Sequence, residues 1–247
     1  MTWCDKLASQ PTVGIQLDPF YGGNETIFTR MAPLVAKLGT PEKPEFSAEV
    51  PDIYTVKIQR EDGFQYSFDA HKASVQFQHR MQFKPTSGGL PVAQLISSPK
   101  VFSSLLADAT EMLIEAALLL PEASQRHIRR IGIITTTAVS ADDLPPGIVK
   151  FVEYLSRPWS GRVEAINSTI VSSLREDEQS IERCIHTITK PEDEEALLTL
   201  RFDWQRVLKK SPLVSRRELD KHIASATEGA LSYFEDLAVG NAFDEGA

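Results

Sequence analysis

From Ile53 to Phe83 apolar and polar residues alternate. In "IYTVKIQ" the apolar Tyr54, Val56 and Ile58 are spaced two apart. "REDGF" then supplies Asp62-Gly63, a pair suited to a tight hairpin turn, and "FQYSF" alternates again. "SVQFQHRMQF" carries the pattern furthest, with Val75, Phe77, His79, Met81 and Phe83 on one face and Gln76, Gln78, Arg80 and Gln82 on the other. The pattern predicts a three-stranded antiparallel meander with one solvated face, entered through the Pro-rich linker "GTPEKPEFSAEVPD".

The period then changes. Phe102, Leu105, Leu106, Ala109, Met112, Leu113, Ala116 and Leu120 recur every three or four residues, which predicts a helix with a broad apolar stripe. Ser98 and Pro99 are read as its N-cap and first position, and Pro121 as its end.

The second half of the chain repeats this order. "RVEAINSTIVSSL", "SIERCIHTIT" and "ALLTLRF" read as three strands joined by the charged turns "REDEQ" and "KPEDEE". Ser215 and Glu218 then open a long helix with Leu219, Ile223, Ala226, Ala230, Phe234 and Leu237 on one face, stopped by Gly240-Asn241. Ahead of each meander lies a short strand and a short helix: "VGIQL" at Val13 matches "IGIIT" at Ile131, an offset of 118 residues. In the long helices Ala109-Thr110-Glu111 matches Ala226-Thr227-Glu228 at an offset of 117. Shared order and offset predict an α+β fold made of an internally duplicated strand, helix, three-strand, helix unit, with repeats over 1–120 and 121–247. The halves are expected to join edge to edge in one curved antiparallel sheet with two long helices on one face. Its element order is similar to the saddle of TATA-binding proteins, and a helix-grip arrangement is the alternative.

Composition narrows the function classes. With 247 residues, 42% hydrophobic and 24% charged, the chain is that of an ordinary globular protein. Its longest apolar runs, such as Ala116 to Leu120, fall far short of the roughly 20 residues that cross a bilayer, so no membrane association is expected. No signal segment opens "MTWCDKLASQPTVGIQLDPF", and the chain carries only two cysteines; both point to a cytoplasmic location. A net charge of −8, divided −3 and −5 between the halves, disfavours nucleic acid as a partner without removing a local basic patch from consideration.

The chain lacks the P-loop, dinucleotide-fold, zinc-protease and nucleophile-elbow signatures. Cys184 and His186 sit two apart on one strand face and read as a buried structural pair, because a zinc site would need about four ligands. His79 is read as a core histidine, and His71, His127 and His222 as isolated. Glu176-Asp177-Glu178 and Glu192 to Glu195 occupy turns, where solvated charge is ordinary. No catalytic residue, metal site or cofactor follows from these positions.

The candidate binding surface is the solvated sheet face: Gln76, Gln78, Arg80 and Gln82, with Lys84, from the first half, and Arg183 and Arg201 from the second. Glutamine and arginine can hydrogen-bond peptide groups, carboxylates or bases.

Taken in order, "RRIGI", "LTLRFD" and "LDKHIASATEGALSYFEDL" resemble a sporadically distributed bacterial family of about this length and of unknown function. The matching positions are Arg130-Ile131-Gly132, Asp203, His222 and Phe234, mainly in the C-terminal half. Where that family carries an aromatic and an asparagine after the glycine, this chain has Ile133 to Thr137. The resemblance implies a fold, since the family has no established activity.

Three functions stand at this point. The first is a non-enzymatic interaction protein that binds a protein partner, or itself as a homo-oligomer, through its sheet face or inter-repeat groove. The second is a small-molecule binder or enzyme with a pocket between sheet and long helices, and the third a nucleic-acid binder on the concave sheet.

Overall fold

Alternating segments become strands where one face can be buried, and three- to four-residue spacing becomes helix. The computed structural model describes residues 1–19, 27–38, 44–49, 53–79, 81–86, 89–95, 100–157, 159–161, 163–192 and 197–243. In chain order the described elements are α1 (Trp3–Lys6), β1 (Gln10–Leu17), α2 (Ile27–Leu38), β2 (Pro44–Glu49), β3 (Ile53–Gln59), β4 (Phe64–Phe68), β5 (Lys72–Phe77), β6 (Met81–Thr86) and β7 (Gly89–Leu95). They continue with α3 (Phe102–Leu119), β8 (Ile128–Val139), α4 (Pro146–Ser156), β9 (Ile166–Glu176), β10 (Ser180–Lys190), β11 (Leu198–Leu208) and α5 (Arg216–Val239).

Nine of these strands form one sheet in the order β2-β3-β4-β5-β1-β8-β11-β10-β9, antiparallel throughout. The sheet crosses from one half of the chain to the other at β1 and β8, whose ladder sets Gly14 opposite Gly132. The fold is α+β with an antiparallel sheet.

All described helices pack on one side of that sheet or on one another: α2 on β3, α3 on β1 and β5, α5 on β8 and β11, and α4 on α5. The buried set is the apolar half of each alternation. Val13 and Ile15, Val75 and Phe77, Ile131 and Ile133, and Phe202 and Trp204 are all at most 2% exposed. They meet Leu105, Leu106, Ala109 and Leu113 from α3 and Leu219, Ile223, Ala226, Ala230 and Phe234 from α5, the stripes expected from the spacing. At about 25 cal/mol per Å² of apolar surface removed from water, this layer is the main source of stability.

Local chemistry fixes the element ends. Ser215 caps α5 by accepting from the Glu218 amide, and Gly240 closes it with a left-handed φ of 94°. Gly63 turns the β3–β4 hairpin at φ 97°. Pro146 is the first residue of α4, placing the Asp142–Asp143 and Pro145–Pro146–Gly147 region in a 3₁₀ turn and helix start. At the N-terminus, Thr2 and Asp5 form a capping box around α1, and the Trp3 indole donates to the Phe234 carbonyl, which ties α1 to α5.

Four sequence expectations are corrected. The long third strand ends at Phe77: β4 begins at Phe64, opposite Phe77, and the last β1 residue paired with it is Thr12, opposite Gln76, beyond which Pro11 has no N–H to offer. Met81 and Gln82 belong to β6, which pairs with β7 in a separate two-stranded sheet. The Pro-rich linker contains strand β2, since Pro44 can occupy an edge where no partner needs its missing N–H. Helix α3 begins at Phe102 after an extended, uncapped Val101; Lys100 and Val101 are not helical, and Ser98 and Pro99 lie outside the described residues.

Candidate functional site

The helix-free side of the sheet carries the other half of each alternation, and the registers place those side chains in rows across the strands. The central row runs Ser173, Arg183, Gln205, Gly132, Gly14, Ser74 and Ser67. Beside it runs Val171, Ile185, Asp203, Ile134, Thr12, Gln76 and Gln65. The middle of the central row has no side chain longer than serine, and its floor opens into a concavity of about 250 Å³ lined by Thr12, Gly14, Gln16, Ser74, Arg130 and Gly132, among others.

Gln205 organises one wall of this concavity. Only 5% exposed, it accepts through Oε1 from Arg130 Nη1 at 3.0 Å and from Arg183 Nε at 3.0 Å. Two guanidinium groups therefore share one neutral acceptor, and among the described residues neither forms an ion pair. Asp203, in the next row, is engaged by Arg201 at 3.7 Å. From β5 across β1, β8 and β11 to β10 the open face carries Lys72, Arg130, Arg183 and Arg201 against Asp203, so an acidic chain presents a locally basic surface. Guanidinium forks in this setting suit carboxylate or phosphate oxygens.

The sequence-selected residues fall in different places. Arg183 and Arg201 lie on this face, together with Gln76, whose amide donates to Gln65. Gln78 lies just past β5 and is exposed. Gln82 and Lys84 are in β6, off the large sheet, and Arg80 lies outside the described residues. Gln205 is not among the sequence-selected residues, and Arg130 enters the sequence analysis only in the Arg130-Ile131-Gly132 match. The spacing of Arg201, Asp203 and Gln205 against Leu200, Phe202 and Trp204 was the available signal.

The basic residues just before Arg130 form a clamp on the end of β1. Arg126, 5% exposed, donates Nε to the Asp18 carbonyl at 2.9 Å and Nη2 to the Ala70 carbonyl at 2.8 Å. Burial opposes ionisation of the Asp18 carboxyl, but hydrogen bonds from Arg129 and His127 outweigh it and hold the pKa down at about 2.

A second concavity, of about 640 Å³, lies on the helix side between β9, β10, α4 and α5. His186 is central to it. Its Nε2 is 2.9 Å from the Tyr233 hydroxyl, and its Nδ1 is 3.3 Å from both Ser172 Oγ and the Ile170 carbonyl. Burial lowers the His186 pKa and pushes the Tyr233 hydroxyl up to about 12. Phe151 and Phe243 stack at 5.5 Å along the same wall. Cys184 is fully buried beside this network, with its thiol pKa raised by burial.

No helix among the described residues is long and apolar enough to cross a membrane. Comparison with family models, with curated proteins and with solved structures finds no match.

Proposed function

We propose that this chain is an interaction protein that binds an extended, acidic segment of a protein partner on its open sheet face. The carrying observation is the pair Arg130 and Arg183, held by the buried Gln205 oxygen and in no ion pair among the described residues, beside a floor of two glycines that Asp203 also borders. Two like charges that share a neutral acceptor repel each other, and an incoming carboxylate would relieve that repulsion while gaining charge-assisted hydrogen bonds. Glycines at Gly14 and Gly132 would let a partner backbone come close.

The proposal includes an internal duplication. Outward from the β1–β8 pair the sheet reads β5, β4, β3 on one side and β11, β10, β9 on the other, with α3 on β1 and β5 and α5 on β8 and β11. The matched helical triplets have matching environments: Ala109 and Ala226 are 0% exposed, and Thr110 and Thr227 both bury a hydroxyl without a partner. The offset is not constant along the chain. Ser74 faces Gly14 and Gln205 faces Gly132, a separation of 131 residues, so the first half's extra β6–β7 hairpin and the second half's longer strands compensate for each other. Two long helices, each on its own half of the sheet, support the duplicated reading over the helix-grip alternative, in which one long helix packs on one meander.

Selection of a displayed peptide library on the full-length chain tests the binding reading. Enrichment of sequences with Asp or Glu, and binding at least about tenfold weaker to an Arg130→Gln, Arg183→Gln variant, are expected. Binders indifferent to both substitutions would refute it. Capture of single-stranded or duplex nucleic acid with a steep salt dependence would replace it with the nucleic-acid alternative.

The Ser172, His186 and Tyr233 cluster supports a second reading, a small-molecule site, because its concavity has the size and the apolar wall with convergent polar groups common to such sites. A metabolite screen by thermal shift, with Tyr233→Phe as control, separates the two.

A further inference from the structure

The nine-stranded sheet ends in two strands of different character. At one end β2 has six residues, opens with Pro44 and includes Glu45 and Glu49. At the other, β9 has eleven, about twice the usual strand length, and pairs only with β10 among the described residues.

From Ile166 to Leu174 β9 contains no charge and no proline. Its register with β10 runs unbroken from Ile166 to Ser173, and the shift that follows displaces Leu174. Asn167, Thr169, Val171 and Ser173 are exposed on the open face. Sheet proteins usually blunt such an edge with charge, proline, a bulge or a covering segment. Here the one bulge lies beyond the uniform stretch.

We infer that β9 pairs antiparallel with β9 of a second copy of this chain, joining two sheets into one across a two-fold axis perpendicular to the sheet. A second copy fits better than an arbitrary strand for two reasons. A two-fold register centred at Ile170 pairs Asn167–Ser173 with the same stretch of the second copy and so opposes only neutral side chains, leaving Arg175 and Glu176 past the bulge. In that register Val171, an apolar residue left 59% exposed, would be covered by Thr169 of the second copy. Trp159, 69% exposed, lines a concavity of about 580 Å³ with Ile166 and Ser168, which places an exposed aromatic at each end of the paired strands. Ser173 adjoins Arg183, but the pairing uses the backbone of β9 and not the guanidinium groups, so ultracentrifugation without peptide tests it apart from the arginine site.

Analytical ultracentrifugation of the full-length chain tests the inference. A reversible monomer–dimer equilibrium is expected. Thr169→Lys and Val171→Lys, both at exposed positions, should weaken the dimer at least tenfold while leaving unchanged the circular dichroism spectrum and the melting temperature measured at concentrations where the parent chain is monomeric. Single cysteines at Thr169 and Val171, oxidised separately and mixed, should form disulfide dimers, whereas Thr136→Cys, on the same face of the central strand β8, should not. The native Cys4 and Cys184 are buried and do not compete. A chain that stays monomeric at every concentration, or a dimer unaffected by both lysine substitutions, overturns the proposal. So does cross-linking as rapid at Thr136 as at β9.

Discussion

Gly14 stands directly opposite Gly132 in the ladder joining β1 to β8, and neither position excludes a methyl group. A Cβ on Gly14 would come no closer than 3.5 Å to Ser74, and one on Gly132 no closer than 3.6 Å to Asp203. Neither glycine has a left-handed φ. Gly14→Ala and Gly132→Ala should therefore fold, each neutral or stabilising by about 0.5–1 kcal/mol in urea unfolding, since glycine weakens a strand interior. Together they should weaken binding of the selected peptides by raising the floor. A large loss of stability would mean that the strands themselves require glycine.

Gly147 is the contrasting case. A Cβ there would lie 2.0 Å from the Leu237 carbonyl oxygen and 2.6 Å from the Gly240 nitrogen, backbone atoms that cannot step aside. Gly147→Ala should cost about 1–3 kcal/mol by forcing α4 away from the end of α5. Gly161→Ala, with nothing within 4 Å, serves as the neutral control in the same unfolding assay.

Burial holds His186 neutral in the fold, although the Ile170 carbonyl works in the opposite direction. The unfolded chain takes up this proton at about pH 6.5. Stability is then complete above that pH and declines as pH falls below it. His222, whose pKa is also lowered chiefly by burial, adds a slope of the same sign. A His186→Gln variant should show a shallower loss between about pH 7 and 5 than the parent chain, an interval spanning the imidazole titration. Tyr233→Phe should cost about 1 kcal/mol at neutral pH through the lost hydrogen bond.

Asp18 acts at lower pH. With its folded pKa at about 2, against an unfolded value of about 3.9, its contribution is present above the unfolded value and is lost as pH falls through the folded one. Asp18→Asn should cost about 1–3 kcal/mol at neutral pH by removing the carboxylate that His127 and Arg129 share. Acid titration followed by circular dichroism should show the variant's stability to be flatter across that interval.

Much of the fold is legible where one period governs a whole segment. The spans of β3 and β4 match the quoted stretches residue for residue, because a half-buried strand leaves a local signature. "SVQFQHRMQF" misleads for the same reason: alternation records that a segment can bury one face, but not where its partners stop. The candidate site was half visible. Arg183 and Arg201 announced themselves as charge in alternating strands, whereas Gln205 matters only because two arginines from two other strands converge on it.

The sequence by itself determined which residues of β4, β5, α3 and α5 turn inward and where Gly63 and Gly240 end their elements. The tertiary structure alone decided that β1 pairs with β8, that Arg130 and Arg183 meet on one glutamine, and that β9 is the edge of the sheet among the described residues. The physical reason is that side-chain period and turn preference are properties of a few neighbouring residues. Strand order, register and the meeting of distant charges depend on contacts between segments that the chain keeps far apart.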